Sequence, residues 1–425
     1  MSRGDTTMRL SHVTVLALLA SMTSGCLSHG APEVIEPIWA DDIVPIVESS
    51  CLPCHRAGGS VGLALDTRDA FVRHGNAVLV ALHDGTMPPG SVDRSGDCGE
   101  YRSYKPVSRA QVETITRFLA TAEETGAKDV EAVSTLPTAK GTALALALPR
   151  YTPSTQKDDH RCFVVHRPAN GGDMMTALGV ERLSTSSLHH LMIFSLPTAS
   201  AVGHAHALDD EDEKPGYPCE GHPGVSATEL LSVWTPGQGT IAFPANTGVA
   251  IGGPALLVQA HFHVEGAFDN DQPPAAEEVA VVLYTAEEVD TVMRPVPIAA
   301  SGFSLPPGER RVEFSLTRPS PFAGPVVVHG VFPHMHTLGA SIRLEVASEQ
   351  DDEAAGQCLA QSVRWRFDWQ DTAFFEEPKV LAPSTRLTLR CAWDTRGRDE
   401  VTRWGEGSLD EMCSLFLFVS VAPGA

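Results

Sequence analysis

From Asp158 to its C-terminus, the chain is a succession of short runs rich in β-branched and aromatic residues, separated by clusters of proline and glycine. Such runs, with no helical period between them, predict an all-β sandwich or jelly-roll architecture. The predicted strands are Thr185–Phe194, Leu256–His263, Val279–Tyr284, Arg311–Leu316, Val326–Phe332, Ser341–Val346, Val363–Phe367, Arg386–Trp393 and Ser414–Val421. The polar insertion Ala199–Gly224 is predicted to be a surface loop, which places its His204 and His206 in solvent.

One of these runs, the stretch 331–339 with sequence VFPHMHTLG, contains an H-x-H pattern. Residues i and i+2 of a strand share a face, so the imidazoles of His334 and His336 can both face one metal ion. The residue between them, Met335, is expected to point away and pack.

Three other segments carry further metal-binding side chains. LHHLMIF contains His189 and His190, LLVQAHFH contains His261, and LDEMCSLFLF contains Met412. Imidazole serves both oxidation states of copper, and a thioether such as that of methionine favours Cu(I). A β-core without a metal requires none of these residues together.

Taken jointly, these four segments resemble the copper type II, ascorbate-dependent monooxygenases, the family of peptidylglycine α-hydroxylating monooxygenase and dopamine β-monooxygenase. The resemblance extends from about Asp158 to the C-terminus and includes LPPGERRVEF ahead of the H-x-H pattern. It implies two copper ions and two β-sandwich domains, at 158–294 and 295–425. The ligands it implies are His189, His190 and His261 for the electron-transfer copper, and His334, His336 and Met412 for the oxygen-activating copper.

Chain geometry alone does not predict that the adjacent His189 and His190 bind one ion. In an ideal strand they point to opposite faces, so both reach one metal only at a strand end or a distortion. Their role as ligands therefore comes from the resemblance, which also places Gln259 near this copper. His263 shares a strand face with His261 and is expected either to support it or to lie at the rim. The remaining His160 and His329 are interpreted as structural.

Two departures from the family pattern concern the substrate. Peptide-amidating members hold a substrate carboxylate with an arginine two residues before the first H-x-H histidine and a tyrosine four residues after the ligand methionine. This chain has Phe332 and Phe416 there, and neither side chain pairs with a carboxylate. The expected substrate is a small apolar or aromatic molecule.

A second cofactor motif precedes the β-rich region. In IWADDIVPIVESSCLPCHRAGG, apolar residues at helical spacing lead to Cys51, Cys54 and His55. C-x-x-C-H is the signature of covalent haem c attachment, with the histidine as the proximal iron ligand; a chance or zinc-binding C-x-x-C is the alternative. Met87 in DGTMPPG is the expected distal ligand, with His83 as its competitor.

The segment Ser108–Gly126 predicts a closing helix capped by Ser108. With it, residues 37–127 resemble a small mono-haem cytochrome c domain, of the kind found ahead of copper monooxygenase modules in bacteria. Residues 128–157 show no stable period and are predicted to be a linker. The expected fold class is therefore multidomain, a small all-α cytochrome c domain followed by two all-β domains.

The N-terminus predicts export. Arg3 and Arg9 precede a short apolar run, too short to span a bilayer, and small residues then lead to Cys26. This resembles a bacterial lipobox, so residues 1–26 are predicted to be a lipoprotein-type signal peptide, with ordinary cleavage as the alternative. The protein is then expected in the periplasm or at the outer membrane or cell surface, bound to the membrane by a lipid anchor only.

Charge and cysteine content limit the partners and the compartment. The formal net charge of -22 argues against nucleic acid and anionic membrane surfaces as partners. An oxidising compartment allows the nine cysteines to form disulfides. The resemblance pairs Cys391 with Cys413 and suggests Cys162 with Cys219, and it leaves the pairing of Cys98 and Cys358 open.

These patterns together predict an exported copper monooxygenase that hydroxylates a C–H bond of a small molecule with O2. An external electron donor is expected, with the fused haem c domain as the carrier of its electrons. Two alternatives stay open. One is a haem or copper electron-transfer or copper-handling protein without hydroxylase activity, and the other is a scaffold that keeps the fold and binds only haem.

Overall fold

A computed structural model describes the chain from Glu36 to Ala422 with several gaps. The described residues are 36–52, 55–56, 63–87, 92–93, 96–102, 107–122, 141–154, 158–168, 171–182, 187–226, 228–235, 238–263, 275–348, 356–367, 369–407 and 409–422. The chain divides into two units, Met1–Glu36 and Pro37–Ala425, and all elements below belong to the second. The predicted signal peptide with Cys26, and Cys54 of the haem motif, lie outside the described residues. Among the described helices, none has the length and apolar character needed to cross a bilayer.

The helical part lies between Trp39 and Thr121. It consists of a π turn, Trp39–Ile43, and helices α1 (Val44–Ser50), α2 (Arg68–Arg73), α3 (Gly75–His83) and α4 (Arg109–Thr121). Helix α4 begins where the sequence predicts, because Ser108 and Gln111 form a reciprocal capping box. Its Ile115 and Phe118 are buried against Trp39 in a small core of their own.

The rest of the described chain is almost entirely β-structure. Its elements are β1 (Thr142–Ala147), β2 (Asp158–His166), β3 (Met174–Arg182), β4 (Leu188–Leu196), α5 (Ala199–Asp210), β5 (Tyr217–Pro218), β6 (Glu229–Trp234), β7 (Ile241–Ala242), β8 (Thr247–Ala250), β9 (Ala255–His263), β10 (Val279–Ala286), β11 (Thr291–Ala299), β12 (Ser304–Leu305), β13 (Val312–Pro319), β14 (Val326–His334), β15 (Gly339–Ser348), β16 (Gln357–Ser362), β17 (Ala373–Leu381), β18 (Thr385–Trp393), β19 (Thr402–Arg403) and β20 (Ser414–Val421). The expectation of all-β structure after residue 158 is confirmed.

These strands form two sandwiches that share one long sheet. A nine-stranded sheet has the order β1-β10-β3-β8-β11-β20-β14-β17, with β7 on β3. The five-stranded sheet β5-β2-β9-β4-β6 packs against its first half, and the four-stranded sheet β13-β18-β15-β16 packs against its second half. Strands β12 and β19 form a separate pair. Alternating apolar residues of the facing sheets fill the two cores.

Strand β11 belongs to both sandwiches. It pairs parallel with β8 through Thr291–Met293 and antiparallel with β20 through Arg294–Ala299. The proposed boundary between residues 294 and 295 therefore lies within a continuous strand. An apolar contact adds to this connection. The ring centroid of Phe243 in the first sandwich lies 5.5 Å from that of Phe374 and 6.0 Å from that of Phe418 in the second.

Three sequence-based predictions are wrong in part. The stretch Val363–Phe367 is not a strand but an irregular segment after β16. The insertion predicted as a loop contains α5, because Thr198 caps it and an alanine face packs on the core. Within the predicted linker, Thr142–Ala147 forms an edge strand on β10, because alternate leucines cover the first sandwich. Of the remaining linker, residues 128–140 and 155–157 lie outside the described residues.

Three disulfides join distant parts of the described chain. Cys162–Cys219 and Cys391–Cys413 are the two pairs that the resemblance implies. The third, Cys98–Cys358, was open in the sequence and links the helical part to the second sandwich across 260 residues.

Two residues of the helical part, Tyr101 and Arg102, are also docked non-covalently on the second sandwich. Tyr101 stacks on Phe375 with 4.9 Å between ring centroids. Arg102 donates from its backbone to the Phe374 carbonyl at 2.7 Å, and from its guanidinium to the carbonyls of Phe375 and Glu376, both at 2.9 Å. The helical part is therefore fixed to the second sandwich directly and does not depend on a tether alone.

Candidate metal centres

The first histidine set consists of His189, His190 and His261. It lies where β4 begins and the neighbouring β9 ends. The pairing of these strands shifts between Leu188 and His190, which marks a β-bulge at the start of β4. A bulge turns two consecutive side chains towards the same region. The bulge is therefore the strand-end distortion that allows the adjacent His189 and His190 to bind one ion.

The ring nitrogens of this set are close enough for one ion. Nδ1 of His190 lies 3.0 Å from Nδ1 of His189 and 3.4 Å from Nδ1 of His261, and one ligand atom from each of the three fits within 4.8 Å. Two nitrogens bound to one ion at about 2.0–2.1 Å in a tetrahedral site lie about 3.3 Å apart. The donor set and its spacing therefore fit a transition metal such as copper.

A carboxylate orients His261 from behind. Asp158 Oδ1 lies 2.9 Å from Nε2 of His261 and 3.1 Å from Nδ1 of His263. Because Asp158 accepts the Nε2 proton, the lone pair of His261 is on Nδ1, the nitrogen that faces the other two histidines. His160, the cross-strand partner of His261, stacks on it with 4.1 Å between ring centroids. Gln259 instead donates to the carbonyl of Cys219 and braces that loop.

The second set, His334, His336 and Met412, lies at the ends of β14 and β20. His334 is the last residue of β14, and His336 follows in the turn. Nδ1 of His334 lies 2.6 Å from Oε1 of Gln370, and Nδ1 of His336 lies 3.1 Å from the Asp410 carbonyl. Because these oxygens occupy both Nδ1 atoms, the Nε2 atoms carry the lone pairs available to a metal. Met335 is fully buried in the core, as expected.

Glu411 holds the two halves of this second set together. Its buried carboxylate accepts hydrogen bonds from the backbone N–H groups of His336 at 3.1 Å, Leu338 at 2.6 Å and Met412 at 3.3 Å. The indole of Trp393 donates at 2.8 Å. Burial raises the pKa of Glu411 to about 7, and these four hydrogen bonds oppose the shift. A single side chain thus fixes the H-x-H turn against the methionine segment.

The two sets face each other across the junction of the sandwiches. The rings of His190 and His334 are 6.3 Å apart between centroids. Phe367, from the irregular segment after β16, stacks on His189 at 4.4 Å and approaches His336 at 6.2 Å. Trp365 of the same segment donates to the His336 carbonyl at 3.1 Å. This segment therefore contacts both sets.

Burial keeps these imidazoles neutral. It lowers the pKa of His189 to about 2, of His334 to about 3 and of His336 to about 4, and neighbouring histidines add to each shift. The pKa of His190 falls well below its ordinary value for the same reasons. A neutral imidazole is the form that binds a metal, so the sites are ready for ligation at neutral pH.

Apolar side chains line one side of His334. Phe332, on the same face of β14, lies 6.2 Å from its ring and 5.9 Å from Phe416, its cross-strand partner on β20. Phe332 is buried and Phe416 is partly exposed. The two residues that depart from the family pattern thus form a continuous apolar wall beside the second set.

The haem motif is described only in part. Nδ1 of His55 lies 3.0 Å from the Leu63 carbonyl, which leaves its Nε2 as the available ligand nitrogen. Met87 is partly buried in the turn after α3, whereas His83 is exposed. Gly85 in that turn lies close to the second sandwich, since a Cβ placed on it would be 3.2 Å from the Arg364 side chain. The available nitrogen of His55 and the partial burial of Met87 fit axial ligands of a haem c.

Comparison with known proteins identifies a family that the second sandwich matches. Residues 302–419 match the model of the family "Copper type II ascorbate-dependent monooxygenase, C-terminal domain". The second sandwich matches that family. This span covers β12 to most of β20 and includes His334, His336 and Met412.

Curated relatives extend the similarity into the first sandwich. DBH-like monooxygenase protein 1 of Homo sapiens is 21% identical over 262 residues, which is 56% of this chain and 40% of that protein. Tyramine beta-hydroxylase of Caenorhabditis briggsae is 22% identical over 204 residues, 45% of this chain and 34% of that protein. Peptidylglycine alpha-amidating monooxygenase of Rattus norvegicus is 22% identical over 291 residues, 65% of this chain and 26% of that protein. The chain spans less than half the length of these relatives, and the similarity supports an oxidoreductase of the copper monooxygenase class.

Several residues of the two centres were missed in the sequence: Asp158, Phe367, Gln370 and Glu411, while His160 was interpreted as structural. One signal was available, since Asp158, His160 and Cys162 alternate and so share a strand face. Gln370 and Glu411 lie in irregular segments, where no period identifies the direction of a side chain.

Acid should destabilise the metal-free protein. In the unfolded chain the imidazoles titrate near 6.5, whereas His189, His334 and His336 stay neutral in the fold. The unfolded state therefore binds more protons below that pH, and the free energy of unfolding falls as pH drops from 7 to 5. Glu406 and Glu411, both with a pKa raised to about 7, act in the opposite direction but are fewer.

Urea unfolding of the chelator-treated protein at pH 7 and pH 5 measures this dependence. The double variant His334→Asn, His336→Asn should show a weaker loss of midpoint on acidification than the parent. A parent midpoint that stays constant or rises in acid would contradict the prediction.

Proposed function

We propose that this protein is an exported copper monooxygenase that hydroxylates a C–H bond of a small apolar or aromatic substrate with O2. The observation that carries the proposal is the pair of neutral, oriented donor sets facing each other across one junction. Copper bound there would supply one-electron redox chemistry and the activation of O2. An external donor supplies the electrons.

The donor sets differ in the way that two roles require. His189, His190 and His261 give three nitrogens, a ligand set for an electron-transfer ion, and Asp158 holds the tautomer of His261. His334 and His336 give two nitrogens, and Met412 adds a soft sulfur that favours the reduced ion. Both sets have three protein ligands and so leave a coordination position open, but the reduced ion that the sulfur favours is the form that reacts with O2. We therefore assign O2 chemistry to the second set.

The apolar wall formed by Phe332 and Phe416 supports the substrate class. It lies beside His334, so a molecule bound there would present a C–H bond near the second set while packing on the partly exposed ring of Phe416, which the buried Phe332 supports from behind. Neither ring supplies a donor for a substrate carboxylate. Desolvation of a charged substrate at this wall would be uncompensated, whereas an aromatic substrate would gain ring contacts.

The helical part is proposed to be a haem c domain that carries electrons to the first set. Cys51, Cys54 and His55 would hold the haem, with Met87 as the distal ligand, and the orientation of His55 supports this assignment. A haem bound there would be a one-electron carrier. The part docks on the sandwich that contributes Phe367, whose ring stacks on His189. This contact shortens the path to the first set.

Residues 1–26 are proposed to be a lipoprotein-type signal peptide that anchors the protein through Cys26 in the periplasm or at the outer membrane or cell surface. Three disulfides in the described chain support an oxidising compartment.

Copper-reconstituted protein, freed of loosely held metal by gel filtration, should retain two copper ions per chain. Their spectra should be type II rather than blue, because no cysteine accompanies the histidines. Met412→Ile should weaken Cu(I) binding at one site and leave the other filled. Elemental analysis with one copper or none would contradict the assignment.

Asp158→Asn should weaken copper at the first set by about 10–100-fold, because the carboxylate that orients His261 is lost. Asp159→Asn is the matched control: its carboxylate accepts from Tyr151 and Ser154 rather than from a histidine. Equal losses in both variants would attribute the effect to general charge or folding.

Oxygen consumption decides between hydroxylase and electron-transfer or copper-handling protein. The copper-loaded protein with a reductant should consume O2 and form hydroxylated product in equal amounts when supplied with an apolar aromatic compound. Phe416→Arg should reduce activity at least about tenfold on that compound, because the bound apolar substrate would then desolvate a charge. Electron transfer without product from any compound in a broad screen would favour the alternative.

Denatured protein should retain haem covalently, and Cys51→Ala should reduce that attachment. Met87→Ala should change the reduced spectrum and lower the reduction potential, whereas His83→Ala should do neither.

In rapid mixing of reduced protein with O2 and substrate, oxidation of the haem should track product formation and disappear in His261→Ala. A haem that stays reduced during turnover would contradict electron delivery by this domain.

A further inference from the structure

His166 and His206 form a pair that lies outside both histidine sets. His166 is the last residue of β2 and is exposed, and His206 lies on α5 and is partly exposed. Their Nε2 atoms are 3.0 Å apart, and the two rings are nearly parallel at 19°. Two bare ring nitrogens at this distance repel each other, so a proton or a metal ion must lie between them.

Both histidines lie on elements that are held firmly together. Ala201 and Ala205 of α5 pack into the core beneath the helix. Just beyond the helix, Asp212 forms a 2.7 Å ion pair with Arg161 of β2, whose guanidinium is 4% exposed. The disulfide Cys162–Cys219 fastens the same strand to the segment after α5. The two imidazoles are therefore brought together before any ligand arrives, which reduces the entropic cost of chelation.

We propose that His166 and His206 form a separate, open binding site for a divalent transition metal of the copper(II), nickel(II) or zinc class. Imidazole nitrogen is a preferred ligand of these ions, whereas calcium and magnesium require oxygen ligands. Two nitrogens 3.0 Å apart can both bind one ion at about 2.0 Å, with an angle of just under about 100° between the bonds.

Water completes the coordination at this site. Within the part of the chain that the structure describes, no carboxylate, thiol or further imidazole forms a group of three ligand atoms with this pair within 4.8 Å. A site with two protein ligands and several waters exchanges its metal readily, so it binds more weakly than the two buried sets. Its metal is lost on gel filtration and is measured only at equilibrium.

The chain contains a matched control for this site. His204 lies on the same helix, two residues before His206, and is exposed. Two helical positions differ by about 200° around the axis, so His204 faces away from His166. Replacing it removes an exposed imidazole from the same element and leaves the pair intact.

Equilibrium dialysis of the full chain against Ni2+ tests the proposal. His166→Asn and His206→Asn should each bind one Ni2+ fewer per chain than the parent in the range where the pair fills, because the remaining imidazole binds on the order of a hundredfold more weakly. His204→Asn should bind as the parent does. The comparison is by difference, so metal at the buried sets does not affect it.

A second readout separates a metal site from a hydrogen-bonded pair. An ion that bridges α5 and β2 binds only the folded state, so Ni2+ should raise the unfolding temperature of the parent and of His204→Asn more than that of His206→Asn. Equal Ni2+ binding by the parent, His166→Asn and His206→Asn would overturn the proposal. A similar loss in His204→Asn would overturn it as well.

Discussion

The continuity of one strand determines how the two candidate centres meet. Strand β11 pairs with β8 in the first sandwich and with β20 in the second, so a single hydrogen-bonded sheet passes through both. A hinge at this position would break backbone hydrogen bonds and expose the aromatic contact of Phe243 with Phe374 and Phe418. The two sandwiches are therefore held at one separation. That separation brings the ring of His190 within 6.3 Å of the ring of His334.

Each centre combines a buried donor set with an acidic side chain behind it. Burial lowers the pKa values of His189 and His190 in the first set and of both histidines in the second, which keeps their nitrogens unprotonated. The carboxylates act at different points. Asp158 binds the imidazole of His261 and selects its tautomer, whereas Glu411 binds backbone N–H groups and fixes the position of the His336 turn. A carboxylate that binds the imidazole ring determines which ring nitrogen carries the lone pair. A carboxylate that binds the backbone determines the position of the ligand residue.

The helical part has a more definite position than a tethered domain would have. The disulfide Cys98–Cys358 and the bonds of Arg102 place its residues 96–102 on the second sandwich. The segment 363–367 that follows β16 contributes Trp365 to the carbonyl of His336 and Phe367 to the ring of His189.

The sequence by itself determined the β-rich architecture, because alternating apolar runs with proline and glycine between them bury a face only by packing sheets. It also predicted the candidate donor histidines, although the pair His189 and His190 required the family resemblance, since a regular strand points adjacent side chains to opposite faces. The strand-end bulge that brings these two together was decided by the pairing of β4 with β9. The sequence places Asp158 on one strand face with His160, but only the pairing of β2 with β9 brings it to His261.

The tertiary structure alone decided the features that depend on contacts between distant segments. The Cys98–Cys358 bridge joins residues 260 positions apart, and no local pattern encodes such a pairing. The edge strand Thr142–Ala147 was taken for a linker because its short apolar alternation becomes meaningful only beside β10. Helix α5 was not predicted, because its buried face consists of the small Ala201 and Ala205, with Val202 and Leu208 only partly buried beside them. Local sequence fixes the period and the donor types, whereas pairing partners, tautomers and the distance between sites arise from long-range packing.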